Sequence, residues 1–101
     1  MQTASVEGPL HRDIVRRVVR RYLGQVRSCV PDVTEPIIIP LTFEIRGNGR
    51  LASVEVPEGE RAGTREQRDC VRRAALRWRF PTADGPTAVR LIYAFTPPQE
   101  H

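Results

Sequence analysis

Several residue types are scarce in this sequence, and their scarcity bounds what the chain can be. All 16 basic residues are arginine and none is lysine. This bias suggests a GC-rich genome, so the arginine content alone is weak evidence for phosphate binding. No apolar run approaches the roughly 20 residues of a membrane-spanning helix, and the N-terminus lacks the apolar core of a signal peptide. If the domain works outside the cytoplasm, a segment upstream must carry it there, and any membrane attachment is expected only through such an anchor.

Side chains suited to catalysis or metal binding are also few. The two histidines, His11 and His101, both lie near a terminus, and the two cysteines, Cys29 and Cys70, are far apart in the chain. This spacing matches no metal-ligand pattern, and no phosphate-binding loop or nucleophile elbow is present. We therefore expect a non-enzymatic protein with no catalytic residue, no metal site and no cofactor.

Length and composition predict one small folded domain. The chain has 101 residues, of which 40% are hydrophobic and 28% charged, which is ordinary for a soluble domain and unlike a disordered one. We place the folded domain at residues 12–96. Residues 1–11 are expected to be a flexible N-terminal segment or linker, and residues 97–101 a tail.

The charges are unevenly distributed. The net charge is +4, but residues 12–30 sum to +5 and residues 64–79 to +4, which leaves −5 for the rest of the chain. Such bipolarity affects association and steering rather than fold.

Residues 12–30 have the pattern of one long amphipathic helix. Nine apolar residues from Ile14 to Val30 share one half of the helical wheel, and arginines fill the other half. The second helix is predicted to begin at Thr64, which forms a capping box with Gln67. Its outward side again carries arginines. Together the two helices present a predicted basic face of Arg16, Arg17, Arg20, Arg21, Arg72 and Arg73.

Three strands are predicted between and after these helices. Alternation over residues 41–46 and 51–56, with Gly47-Asn48-Gly49 between them, indicates a β-hairpin in which full pairing begins only after Pro40. Residues 87–95, TAVRLIYAF, read as the third strand. The predicted fold class is therefore α+β, a two-layer domain in the order helix-strand-strand-helix-strand. Two helices would pack on one face of a three-stranded antiparallel sheet, with their arginines outward.

Two features have alternative interpretations at this stage. Cys29 and Cys70 lie on the apolar sides of the two helices, and they are either two buried thiols or a disulfide. The predicted basic face is either a solvated surface or a site for an anionic partner. Tyr22 and Trp78 both point toward the apolar side, so no platform for stacking bases is visible.

The succession of segments resembles a known family. A helix, the hairpin LTFEIRGNGRLASVEV, a helix closing with RRAALRWRFP and the strand LIYAF are similar to the C-terminal domain of TonB-type energy transducers. In that family, a hairpin with a Gly-Arg turn precedes a helix that ends in a basic-Trp-basic-aromatic-Pro run. The segments VVRRYLGQVRSC, DCVRRAALRWRFP and YAF most resemble the AgmX/PglI-type domains of myxobacterial adventurous-gliding motility proteins. The resemblance covers about residues 12–96.

The resemblance implies a periplasmic interaction module of an inner-membrane-anchored envelope machine, used in gliding motility or TonB-like energy transduction. It implies that Cys29 and Cys70 form a disulfide. It also implies that an extended peptide of an outer-membrane or periplasmic partner adds as a strand beside the last strand. The docking edge would then comprise Ala88, Val89, Arg90, Leu91, Ile92, Tyr93, Ala94 and Phe95.

Other partners follow from the residues. Peptidoglycan is a possible ligand of the domain, and a homodimer could form through exposed strand edges. No nucleic-acid partner is expected under this interpretation. The alternative function is polyanion or nucleic-acid binding through the two arginine-rich helix faces, which predicts binding that weakens steeply with salt.

Overall fold

The computed structural model describes residues 2–97, and the rest of the predicted tail, residues 98–101, lies outside the described residues with Met1. Over this range the chain forms three α-helices and four β-strands. In chain order they are β1 (Gln2–Glu7), α1 (Arg12–Arg21), α2 (Leu23–Cys29), β2 (Ile37–Ile45), β3 (Leu51–Glu55), α3 (Arg65–Ala75) and β4 (Thr87–Phe95).

The strands form one antiparallel sheet in the order β1-β4-β2-β3. Buried residues of all three helices join those of β2, β3 and β4 in a single core, so the helices cover one face of the sheet. The predicted α+β class is confirmed. The predicted arrangement of two helices on three strands is wrong, because the described residues contain one more helix and one more strand.

The additional strand comes from the segment that we expected to be flexible. Residues 2–7 pair along β4, in a register that sets Ala4 opposite Leu91 and Val6 opposite Val89. Ala4 and Val6 pack against the core, whereas the residues between and after them, Ser5 and Glu7, are exposed. The alternation of this segment therefore suits a half-buried strand, although its apolar residues are small.

The additional helix arises from a break at Tyr22, where one continuous helix was predicted. Tyr22 has φ −94° and ψ 0°, outside helical geometry, and it separates α1 from α2. Its ring stacks on Trp78 with centroids 5.1 Å apart, and its hydroxyl accepts a hydrogen bond from the Arg79 backbone N–H at 3.2 Å. These contacts with a segment distant in sequence hold Tyr22 at the junction, and α2 packs against α3 beyond it.

The predicted hairpin is present as β2 and β3. Its turn is closed by the hydrogen bond from the Arg46 N–H to the Arg50 carbonyl at 2.8 Å. Pairing of β2 with β4 extends back to Ile37, so the expectation that full pairing begins after Pro40 is wrong on that side. The Ile38 N–H donates to the Arg61 carbonyl at 2.7 Å, away from β4. Because N–H groups of residues two apart point the same way, Pro40 lacks its donor on the side away from β4, and no ladder bond to β4 is lost.

The residues that follow α3 pack into the core. The capping box of Thr64 and Gln67 is confirmed, with both hydrogen bonds made. Trp78 follows the helix and is 0% exposed. It meets Phe43 of β2 edge to face at 6.0 Å between centroids, and its indole N–H donates to the Gln25 side-chain oxygen at 3.1 Å. Trp78 therefore lies on the apolar side, as the helical pattern predicts, and the stretch RRAALRWRFP closes the core.

Candidate strand-docking site

The residues of the predicted docking edge alternate between the two faces of the sheet. Val89, Leu91 and Tyr93 are buried under the helices, whereas Ala88, Arg90 and Ile92 lie exposed on the opposite face. Ala94 and Phe95 are half-buried at the end of β4. One face of β4 thus packs on the core and the other is exposed. Whether a partner strand can pair with β4 depends on the strands that lie beside it in the sheet.

β4 has a neighbour on each side, and the expectation that it is an edge strand is wrong. β2 pairs with the whole of β4 on one side. On the other side, the strand Gln2–Glu7 pairs with Tyr93 to Ala88 in antiparallel register. The position that the resemblance assigns to a partner peptide is therefore filled over residues 88–93 by the chain's own first strand.

A short segment after β1 fixes this strand in place. The Leu10 N–H donates to the Thr87 hydroxyl at 3.2 Å, and both residues are buried. Gly8 has a φ of 143°, and a Cβ added there would lie 2.6 Å from the Thr87 Cα and 2.7 Å from the Pro86 carbonyl oxygen. The chain passes so close to the start of β4 at this point that a side chain has no room.

The described side chains of β1, those of residues 4–7, contribute little packing to the core. Among residues 4–7, Ala4 and Val6 contact the core, and neither is fully buried. The neighbouring β2 buries Ile39, Leu41, Phe43 and Ile45. The free energy gained by burying apolar side chains is roughly proportional to the area buried, so side chains stabilise β1 less than β2. The main-chain hydrogen bonds therefore provide a larger share of the attachment of β1. The sequence signal for β1 was only this short alternation before the turn residues Gly8-Pro9.

The opposite edge of the sheet, at β3, contacts the end of α3 and the segment that follows it. Arg79 bridges Arg50 at the start of β3, and the Phe80 N–H donates to the Gly49 carbonyl at 2.9 Å. Arg72 of α3 donates through Nε to the Val54 carbonyl oxygen at 3.2 Å. One side-chain donor thus occupies an acceptor on the edge of β3, and the main-chain contacts lie at the turn that precedes the strand.

The cysteine pair is brought together as the resemblance implied. Cys29 at the end of α2 and Cys70 in α3 form a disulfide, with their Cα atoms 5.6 Å apart. The bond joins the two helices that flank Trp78 and Tyr22. It therefore reinforces the packing of α2 against α3 beside the Tyr22–Trp78 stack.

Tyr93 of β4 is buried without a polar partner. Among the buried side-chain polar atoms of residues 2–97, its hydroxyl oxygen alone has no hydrogen bond. Burial raises the pKa of the Tyr93 hydroxyl, because the ionised form loses its hydration. The hydroxyl is therefore neutral at physiological pH and acts as a polar group in an apolar site.

The structure separates the residues of the predicted basic face. Arg16, Arg17, Arg20 and Arg21 lie exposed along α1. Arg72 instead reaches β3, whereas Arg73 lines a shallow depression beside the disulfide. The four arginines of α1 thus form a continuous surface, and Arg72 is directed to β3.

No helix within residues 2–97 is both long enough and apolar enough to cross a membrane. Within the same residues, His, Cys, Asp and Glu side chains form no group of three or more that could hold a metal ion. Comparisons of the chain with protein-family models, with curated proteins and with solved structures gave no match.

Proposed function

We propose that this domain is a non-enzymatic interaction module that binds an extended peptide of a partner protein by strand addition at β4. The observation that carries the proposal is β1. A six-residue extended segment, whose core-facing Ala4 and Val6 are small, lies antiparallel along the outer side of β4. The geometry supports an extended peptide in this position, and a partner segment would replace β1 there.

Replacement of β1 requires a strand that can leave without unfolding the core. Most of the buried cluster belongs to elements other than β1, whose Ala4 and Val6 lie at its margin. The anchor at Leu10 and Thr87 lies after the strand, so residues 2–7 can detach while the rest remains in place. A partner strand with larger apolar side chains at the positions of Ala4 and Val6 would gain contacts that β1 lacks.

The cellular context is part of the proposal. The Cys29–Cys70 disulfide supports an oxidising compartment, because such bonds are rare where thiols are kept reduced. Combined with the resemblance to TonB and AgmX/PglI-type domains, this supports a periplasmic location in an inner-membrane-anchored envelope machine. There the domain would bind an outer-membrane or periplasmic partner in gliding motility or energy transduction.

The test uses a matched pair of variants and a defined probe. Val6→Asp places a charge on the core side of β1, whereas Ser5→Asp places the same charge on its exposed side. We expect a synthetic peptide of the sequence QTASVE to bind the Val6→Asp chain at least about tenfold more tightly than the unaltered chain, since the altered strand no longer competes. Ser5→Asp should bind the peptide like the unaltered chain.

The site of binding is read by NMR titration of backbone amides. Shifts concentrated in residues 88–93 support the proposal. Shifts confined to the arginines of α1, with residues 88–95 unmoved, would refute it. The same peptide with proline in place of its serine lacks the main-chain donor that faces Arg90, and it should bind more weakly if the attachment is a β-ladder.

A further inference from the structure

The outward side of α1 is a surface of one charge. Four arginines, Arg16, Arg17, Arg20 and Arg21, occupy it, and we call this set the α1 arginine face. All four are exposed, while Val15, Val18 and Val19 on the other side of the helix are buried. The helix is thus fixed by its apolar side, and its arginines are held outward as an array.

This charge is not neutralised within the described residues. The ion pairs between arginines and carboxylates there are Arg65–Asp69 and Arg68–Glu58, and neither includes an arginine of α1. Arg16 and Arg20, like Arg17 and Arg21, are four positions apart, a spacing at which like charges repel and destabilise a helix. A polyanionic partner would relieve this repulsion.

Exposed aliphatic side chains accompany the charge on the helix layer. Ile14 is 38% exposed and precedes Arg17 and Arg21 along one line of α1, at i, i+3 and i+7. Leu76, at the end of α3, is 40% exposed and lies beside Arg73 and Arg77. α1 and α3 pack on the same face of the sheet, so both aliphatic groups lie on the helix layer with the arginines.

Arginines together with exposed aliphatic side chains match the chemistry of an anionic bilayer surface. Lipid phosphates attract the arginines, and the acyl boundary accepts the aliphatic groups. A nucleic-acid duplex offers the phosphates but no comparable apolar layer, and the aromatic residues of the helix layer, Tyr22 and Trp78, are stacked on each other rather than available to bases.

We infer that the α1 arginine face, with Ile14 and Leu76, binds the surface of an anionic phospholipid bilayer. Such contact goes beyond strand docking and beyond any anchor upstream. It uses the helix layer, whereas the docking strand lies in the sheet. A domain held in this way would lie with its helices against the membrane and its open sheet face away from it.

The test measures sedimentation of the protein with lipid vesicles at low salt. One set contains phosphatidylcholine with about one third phosphatidylglycerol, and the other contains phosphatidylcholine alone. We expect binding to the anionic vesicles and none to the neutral ones. Changing Arg16, Arg17, Arg20 and Arg21 together to Gln should weaken binding about a hundredfold or more, since each arginine near an anionic surface contributes about fivefold.

A matched variant separates this face from net charge. Arg46, Arg50, Arg61 and Arg90 are exposed elsewhere on the molecule, and changing all four to Gln removes the same charge. We expect it to change vesicle binding by less than about threefold, a residual long-range effect. Equal loss in both four-residue variants would overturn the inference.

The apolar contribution has its own matched variants. Ile14→Ser with Leu76→Ser should weaken binding to anionic vesicles about fivefold, whereas Ile38→Ser with Ile92→Ser, on the open sheet face, should leave it unchanged. Tighter binding to duplex DNA than to vesicles, with no effect of Ile14→Ser and Leu76→Ser, would assign the face to nucleic acid and overturn the inference. Val6→Asp should leave vesicle binding intact, so this test and the peptide titration fail independently.

Discussion

The segments that border the two sides of the sheet are attached to the core in different ways. On the β3 side, α3 and the residues after it are held by three contacts. These are the Cys29–Cys70 disulfide, the Tyr22–Trp78 stack and the main-chain bridge between Arg79 and Arg50. On the β4 side, the neighbour is a short strand whose described inward residues are Ala4 and Val6, and a hydrogen bond from Leu10 to Thr87 follows it.

The difference indicates which side is available for exchange. A segment fixed by large buried side chains cannot be replaced without unfolding its neighbours. A strand attached chiefly by its main chain can be replaced by another main chain. We therefore expect changes on the β3 side to lower the global free energy of unfolding, and changes on the β1 side to alter local opening and peptide binding.

The largest expected effect is on the β3 side, at Trp78. Trp78→Ala removes the side chain that contacts both Tyr22 and Phe43, and should lower the free energy of unfolding by about 3–5 kcal/mol. Denaturant unfolding monitored by circular dichroism measures this. Leu76→Ala, two residues away and exposed, is the control and should cost less than about 1 kcal/mol. Equal effects would show that Trp78 does not anchor this side.

The disulfide should rank next. Replacing Cys29 and Cys70 together by Ala should lower the free energy of unfolding by about 2–4 kcal/mol, because the denatured chain is no longer cross-linked. The same loss should follow when the unaltered protein is unfolded in a reducing agent. Peptide binding at β4 should persist in the variant under conditions where it is folded, and its loss there would contradict the separation of the two sides.

A pair of glycines offers a direct comparison of the two sides. Gly49 has a φ of 87°, and a Cβ there would collide with the carbonyl of Phe80, which is buried. Gly49→Ala should therefore cost about 2–3 kcal/mol of global stability. Gly8→Ala collides with Pro86 and Thr87, but β1 can move away, so the global cost should stay below about 1 kcal/mol.

Hydrogen exchange distinguishes these two outcomes. Gly8→Ala should increase amide exchange in β1 and along its partner strand, residues 88–93, while leaving the hairpin protected. Gly49→Ala should increase exchange throughout the core. Uniform exchange in the Gly8→Ala chain would show that β1 is as integral to the fold as the hairpin.

Local patterns predicted the elements whose causes are local. The hairpin was predictable because the buried Leu41, Phe43 and Ile45 alternate with polar residues beside a glycine turn. The start of α3 was predictable because Thr64 and Gln67 have the spacing of a capping box. The break in the first helix was not, because it depends on contacts between Tyr22 and residues 78–79.

The first strand, β1, was not predicted for a similar reason. Ala4 and Val6 form too short a pattern to indicate a strand, and the pairing partner of β1 lies at the other end of the chain. The predicted docking strand was located correctly as an element, but its neighbours in the sheet could not be read from its own residues. Strand order depends on contacts remote in sequence, which a single periodic pattern does not contain.

The smallest expected effects have opposite signs on the two sides. Tyr22→Phe removes the oxygen that accepts the Arg79 N–H, and should lower the free energy of unfolding by about 0.5–1.5 kcal/mol. Tyr93→Phe removes a buried hydroxyl that has no hydrogen bond, and should raise it by up to about 1 kcal/mol. Both substitutions keep the ring, so packing is matched, and parallel denaturant titrations compare them. If Tyr93→Phe lowers the free energy of unfolding as much as Tyr22→Phe does, the Tyr93 hydroxyl has a polar partner in solution. The β4 side would then be held by more polar contacts than the comparison of the two sides implies.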